Sequence, residues 1–325
     1  MTRVKDYSIA DIDNETLEAS KGNANAFLEA ATVEIDGAIH SAARSLAIAM
    51  YRDGSGVIGQ IAATTTLSSQ VIQLQDLESV TTFEVGQQLA ASASTTGSVR
   101  SGTLTVTNVD RDLAQVTCSA PLNTGIPAIA ANDYLSVAGD FGLKLSGLDA
   151  WLPATAPAPG SSFFTVDRSS DASRLAGIRF DGSAMPIEEA LVSAAARAAR
   201  EGGKPDHCFL SYTNFANLEK ALGSKVQYID LKANAEVGFR GMIINGPRGP
   251  IKVIPDQNCP SYVAYMLQLD VWKLYSLGKA PKILDTDGLK MLRDASSDSV
   301  QIRVGYYAQV GCRAPGWNVR VKLST

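Results

Sequence analysis

Apolar positions recur at three- and four-residue intervals in two stretches of the chain and alternate with polar ones in most of the rest. Between Asn23 and Met50, the residues Leu28, Ala31, Ile35, Ile39, Ala42, Leu46 and Met50 share one stripe, which predicts an amphipathic helix. Asp53-Gly54-Ser55-Gly56 ends it. A second helix is predicted over Ile187 to Arg200, with Ile187, Leu191, Ala194, Ala195 and Ala198 on its apolar face. Pro186 falls at its first helical position, Glu188 and Glu189 complement the dipole in the first turn, and Gly202-Gly203 stops it.

Strand-type alternation dominates elsewhere. Val71 to Leu74, Thr103 to Val109 and Gln115 to Ser119 are short β runs separated by turn residues, and Phe83 to Gly86 and Asp133 to Asp140 add strand and turn elements. Together they predict a small β-barrel or sandwich. After Gly203 an α/β stretch follows, with strands at His207 to Tyr212, Gly241 to Asn245, Ile251 to Ile254 and Tyr262 to Leu267, and a short helix at Thr213 to Leu222. Ser299 to Val310 and Trp317 to Leu323 alternate around Gly311 to Gly316 and predict a closing, hairpin-like pair. Met1 to Gly22 is polar and reads as an extended arm that orders only against a neighbour.

Charge sharpens the division. From Val57 to Gly142 there are two basic residues, Arg100 and Arg111, against seven acidic ones, Asp76, Glu78, Glu84, Asp110, Asp112, Asp133 and Asp140, which marks a separate acidic, Ser/Thr-rich module suited to solvent. The 325 residues, 45% apolar, suffice for two or three folded units. A formal charge of −4 excludes a protein that coats nucleic acid, so any DNA contact is expected to be loose. Apolar runs fall short of a membrane span, and Met1 to Tyr7 lacks the apolar segment of a secretory signal, so synthesis in the cytoplasm and no membrane partner are expected.

Catalytic chemistry is hard to assemble from these residues. Cys118, Cys208, Cys259 and Cys312 form no CxxC pair and are accompanied only by His40 and His207, so neither a zinc site nor a disulfide framework is expected. His207-Cys208 is the one candidate nucleophile and base, but neighbours on a strand point to opposite faces. Gly246-Pro247-Arg248-Gly249 lacks the GK[ST] ending and following helix of a phosphate loop and reads as a tight turn. Asp285, Asp287, Asp294 and Asp298 match no calcium loop. No catalytic, cofactor-binding or metal residue is assigned. The basic terminus, Arg313, Arg320 and Lys322, fits either a half-exposed strand or a surface facing DNA or an acidic neighbour.

The order of arm, Ala-rich helix, long excursion, second helix, α/β middle and terminal β pair resembles the Hong Kong 97 capsid fold, an α+β class. The most specific pieces are Gly147 to Pro153 (GLDAWLP), the Ser183 to Gly203 helix segment and Val304 to Asn318 (VGYYAQVGCRAPGWN), which look like those of tailed-phage major capsid proteins. The resemblance implies an N-terminal arm and helix over 1–51, an extended loop over 52–167 carrying the β insert at 57–142, a peripheral domain with a spine helix over 168–205, an axial domain over 206–280 and returning peripheral strands over 281–325. The insert departs from the family's simple hairpin-like loop, and no charged coiled-coil scaffolding segment is evident near the start.

The same resemblance implies a non-enzymatic virion subunit, made in the host cytoplasm, that assembles as pentamers and hexamers into an icosahedral shell around double-stranded DNA, with portal, scaffolding or decoration proteins as partners and no cofactor. Expected subunit contacts are Asp11, Asp13, Glu15, Leu28 and Ile35 in the arm and first helix, and Arg52, Trp151, Arg248 and Arg313 further along. Two other readings compete: an encapsulin-type cargo shell of the same fold, and a cysteine hydrolase using Cys208.

Overall fold

The computed structural model describes residues 2–13, 15, 24–222, 228–230, 240–285, 288, 292–293 and 297–324. The architecture is mixed α+β, with three main sheets.

The first sheet is built on one long strand, Ser299–Cys312, whose alternating apolar residues Ile302, Val304, Tyr306, Ala308 and Val310 are buried. Val4–Asp13 runs antiparallel to it over ten residue pairs, from Val4 opposite Ala308 to Asp13 opposite Ser299. Trp272–Ser276 takes part of the other edge, and the short strands Lys282–Ile283 and Leu292–Arg293 take the rest. The expectation that the arm orders only against a neighbour is overturned here, because residues 4–13 are ordered by their own chain. The arm has few apolar residues, but an edge strand draws on backbone hydrogen bonds, and only Ala10 and Ile12 need reach the core. Gly305 makes the pairing possible: a Cβ there would lie 2.4 Å from the Asp6 carbonyl oxygen and 2.7 Å from Tyr7 Cβ.

The helix Ala24–Tyr51, 28 residues long, lies across this sheet. Its contact stripe is set by Ala38 and Ala42 against Ala10, Ile12, Ile302 and Val304, and it continues through Leu46 and Ala49. The expected stripe is displaced by about one position at its centre: Ile39 is exposed and Ile35 half-buried, because small alanines let the helix approach the strands more closely than isoleucine would. The side chains of Leu28 and Ala31 lie outside the described residues.

The second sheet has seven strands in the order Ile178–Asp181, Val319–Lys322, Val263–Leu267, His207–Leu210, Gly249–Pro255, Arg240–Gly246 and Tyr228–Asp230. The helix Ile187–Arg200 covers it with Ala190, Leu191, Ala194, Ala195 and Ala198, which meet Cys208, Val253, Met266, Val319 and Val321. Pro186 stands just before that helix, not within it. The segments assigned to 168–205, 206–280 and 281–325 all contribute to this sheet, since Ile178–Asp181 pairs parallel with Val319–Lys322. The closing pair is therefore not a hairpin. The 3-10 turn Pro315–Trp317 and buried Asn318 intervene: Asn318 Oδ1 accepts from Gln268 N and Trp272 Nε1, both at 2.9 Å, and draws the last strand into the second sheet.

The acidic stretch forms the third sheet, in the order Val57–Gln60, Tyr134–Val137, Gln88–Ser92, Leu104–Asp110, Gln115–Cys118 and Val71–Gln73. Its two outer strands meet through the Ile61/Leu74 bridge, with Ala62 N donating to Gln73 O at 2.8 Å and Gln75 N to Gln60 O at 2.9 Å, so the sheet closes into a barrel. Phe83, Leu89, Leu104, Val116 and Leu135 fill it. Gln88–Ser92 (QLAAS) has no β-branched residue, and Val57–Gln60 (VIGQ) is only four residues long with a glycine inside it, so neither stands out in the sequence. Phe83 to Gly86 is a turn after the 3-10 helix Leu77–Thr82.

Because the amino-terminal strand belongs to the fold, deleting Met1 to Asp13 is expected to destabilise the folded chain by about 3 kcal/mol, with loss of an edge strand and of the half-buried ion pair between Asp6 and Lys144. Urea unfolding of the truncated and full-length chains checks this; an unchanged midpoint would count against it.

Candidate assembly surface

The three units meet along residues 140–152. Gly147 passes so close to the end of the first helix that a Cβ would lie 2.3 Å from the carbonyl oxygens of Ala49 and Met50, and its N–H donates to Arg52 O at 3.0 Å. Leu148–Trp151 then makes one helical turn. Asp149 accepts from Arg320 Nε at 3.0 Å and Tyr265 hydroxyl at 3.1 Å, tying this turn to the second sheet. Trp151 Nε1 donates to Val310 O at 3.0 Å, tying it to the first, and its ring packs against Phe163, with centroids 5.0 Å apart, and Trp272. The GLDAWLP segment is thus a fastener between sheets.

Beside it, Lys144 Nζ lies 2.8 Å from Asp6 Oδ2, 2.9 Å from Asp140 Oδ2 and 2.9 Å from Ser45 Oγ. Asp6 Oδ2 also accepts from Ser45 Oγ at 2.8 Å and Tyr306 hydroxyl at 3.0 Å. One ammonium therefore joins the amino-terminal strand, the first helix, the long strand and the barrel's exit. Burial pushes the Asp6 carboxyl up, but the Lys144 charge and the three hydrogen bonds outweigh it and hold the group below the usual carboxylate range. Asp140 goes the other way, because burial exceeds the pull of Lys144 and the Asp6 charge adds to it. A cleft of about 500 Å³ opens here between the first helix and the barrel base, where Arg44 pairs with Glu84.

The residues expected at subunit contacts are scattered. Asp11, Asp13 and Glu15 are exposed, although Asp11 accepts from Ser299 Oγ at 2.9 Å and Asp13 Oδ1 from Glu15 N at 3.2 Å. Ile35 is half-buried against the first sheet, and the Leu28 side chain is outside the described residues. Trp151 is buried inside the chain, as described. Arg52 is half-buried with its Nε unpaired, between that cleft and a second of about 770 Å³ that reaches Ser261 and Tyr262. Arg248 and Arg313 are exposed, bonding the carbonyls of Gly202 and Asp270. Arg320 is buried against Asp149, so the basic terminus is not one outward row.

Sequence reasoning missed Asp6 and Lys144. The Asp140/Lys144 spacing was visible, but its partner lies 138 positions away. The thiols are also poorly placed for nucleophilic work: Cys208 is fully buried and burial pushes it up to about 12, the wrong direction for a thiolate. His207 stacks on Phe209, and the pair shares the face opposite to Cys208.

The family model described as SU10 major capsid protein matches residues 70–307, from the barrel through most of the long strand. The chain belongs to that family. It is a structural phage capsid protein, and membership rests on this match. Solved structures align more loosely. A chain of the cyanophage A-1(L) capsid asymmetric unit is 17% identical over 57% of this chain and 62% of its own, with a TM-score of 0.40. One of the satellite phage P4 procapsid with its size determination (Sid) protein is 9% identical over 99% and 71%, also at 0.40, and the virus-like particle from Pyrococcus furiosus is 15% identical over 45% and 54%, at 0.29. The match thus spans less than two thirds of the cyanophage chain. No curated protein matches.

Replacing Lys144 by Met should leave two half-buried carboxylates side by side without their cation and cost about 2–3 kcal/mol at neutral pH. The deficit should shrink near pH 4, where Asp140 and Asp6 take up protons in the variant. In the natural chain the depressed Asp6 stabilises above the carboxylate range, and that contribution is lost only as pH falls through its lowered value, whereas raised Asp140 weakens the fold once ionised. Urea unfolding at both pH values measures the difference; a deficit independent of pH would remove Lys144 from this role.

Proposed function

We propose that this capsid protein assembles with copies of itself, as pentamers and hexamers, into the icosahedral shell of a tailed-phage head around double-stranded DNA. The observation that carries the proposal is the family match over residues 70–307. The subunit would be of the Hong Kong 97 type, made in the host cytoplasm, with portal, scaffolding or decoration proteins as partners and DNA in loose contact. The 28-residue helix lying across the first sheet suits the place of the long spine helix, by length and packing, better than the 14-residue Ile187–Arg200 does. The acidic barrel would be the insert of the extended loop and would project outward, where its charge favours solvent over packaged DNA.

Shell subunits share large repeated interfaces, on the order of several thousand Å² each, so contacts that are weak singly suffice in a closed shell. The purified chain is expected to sediment as closed particles visible by negative-stain imaging, with the barrels on the outside. A folded chain that stays monomeric under all assembly conditions, or particles with the barrel inside, would refute the respective part.

A further inference from the structure

We propose that the face of the first sheet opposite the helix is the surface that meets duplex DNA, an inference that rests on the shell reading for its biological setting. In the antiparallel register, residues directly opposite share a face. Ala10, Ile12, Ile302 and Val304 face the helix, so Lys5, Tyr7 and Ile9 point away from it, beside Tyr307, Gly305 and Arg303. Lys282 lies opposite Gly305, Tyr275 opposite Gln309 and Lys273 opposite Gly311, which puts them on the same outer face. Lys5, Lys273 and Arg303 are exposed and Lys282 is half-buried, and none of the four has a carboxylate partner among the described residues. Over the rungs from Arg303 to Gly311, about 27 Å at strand spacing, the ionised groups on this face are all cationic among the described residues. The described carboxylates of this face, Asp11 and Asp13, stand beyond one end.

A polyanion explains this composition better than a neighbouring subunit does. Protein interfaces are depleted in lysine at their centres, whereas phosphate oxygens are bound by lysine, arginine and tyrosine hydroxyls. Tyr7 and Tyr275, each about half exposed, supply such hydroxyls among the cations. The overall charge of −4 does not oppose it, since the acidic excess lies in the barrel. A flat cationic row reads no sequence, and its affinity would be weak and governed by salt.

The test is fluorescence anisotropy of a labelled short DNA duplex with the full chain at several salt concentrations. Four phosphate contacts predict a slope of log affinity against log salt of about −3.6, and each of Lys5→Gln, Lys273→Gln, Lys282→Gln and Arg303→Gln should flatten it by about 0.9. Arg197→Gln and Lys220→Gln, exposed on the helices of the second sheet, should leave it unchanged. Circular dichroism checks folding, and sedimentation scores shells in parallel. A quadruple variant that binds duplex as the natural chain does overturns the proposal; if that variant also forms no shells, the face belongs to a neighbouring subunit. Duplex binding that vanishes with the four cations, from a chain that forms no shells, supports the DNA face and counts only against the shell reading.

Discussion

Lys144 carries its ammonium into the junction of barrel, first helix and first sheet, at the edge of the cleft and mostly covered by protein, and the arrangement around it follows from satisfying that charge. Its acceptors come from far apart in sequence: Asp6 from the amino-terminal strand, Ser45 from the helix and Asp140 from its own turn. A largely desolvated ion pair of this kind adds little net stability over replacing both partners by apolar groups, because desolvation consumes most of the Coulombic gain, whereas removing one partner is costly. What it does is penalise alternatives. A chain whose amino-terminal strand slipped by one residue would turn Asp6 to the other face and strand the ammonium, so the network fixes the register that Ala10 and Ile12 alone would specify weakly.

The same logic separates what could be read in the sequence from what could not. Both long helices and most strands of the α/β part were legible, because their apolar periodicity is local. The barrel was legible as a composition break and a cluster of short β runs, although two of its strands were not. The ordered arm was missed because its stabilisation is non-local: few of its residues are apolar, and backbone pairing with a strand about 295 positions later leaves no trace in composition. The terminal strands were misjoined for a related reason. Alternation identifies strands without saying which sheet receives them, and Asn318, with partners at Gln268 and Trp272, makes that choice.

The resemblance of GLDAWLP to capsid proteins was recognisable before its physical role was. In the fold each residue type has a use: Gly147 for close approach to the helix end, Asp149 for Arg320 and Tyr265, Trp151 for the Val310 carbonyl and the Phe163 ring, and Leu152 for the core. Trp151 was expected at a subunit contact, yet its packing and hydrogen bond are spent within the chain. Function as a shell component was therefore more readable than the surfaces that perform it, because a motif that positions units within one subunit says nothing of what lies beyond its edge.

Charge placement shows how one chain can remain acidic overall and still offer a cationic surface. Within the barrel, Asp133 is neutralised by Arg100 at 2.5 Å and Glu84 by Arg44, while Asp140 is shared with Lys144. Among the described residues the outward cations of the first sheet have no carboxylate partner, and a net charge summed over the sequence cannot distinguish paired from unpaired groups. Long-range interaction is decided by the unpaired ones, since exposed charges farther apart than a Debye length of roughly 8–10 Å scarcely sense each other at physiological salt. A polyanion lying along the long strand would meet the local row of lysines and Arg303 and remain largely screened from the acidic barrel.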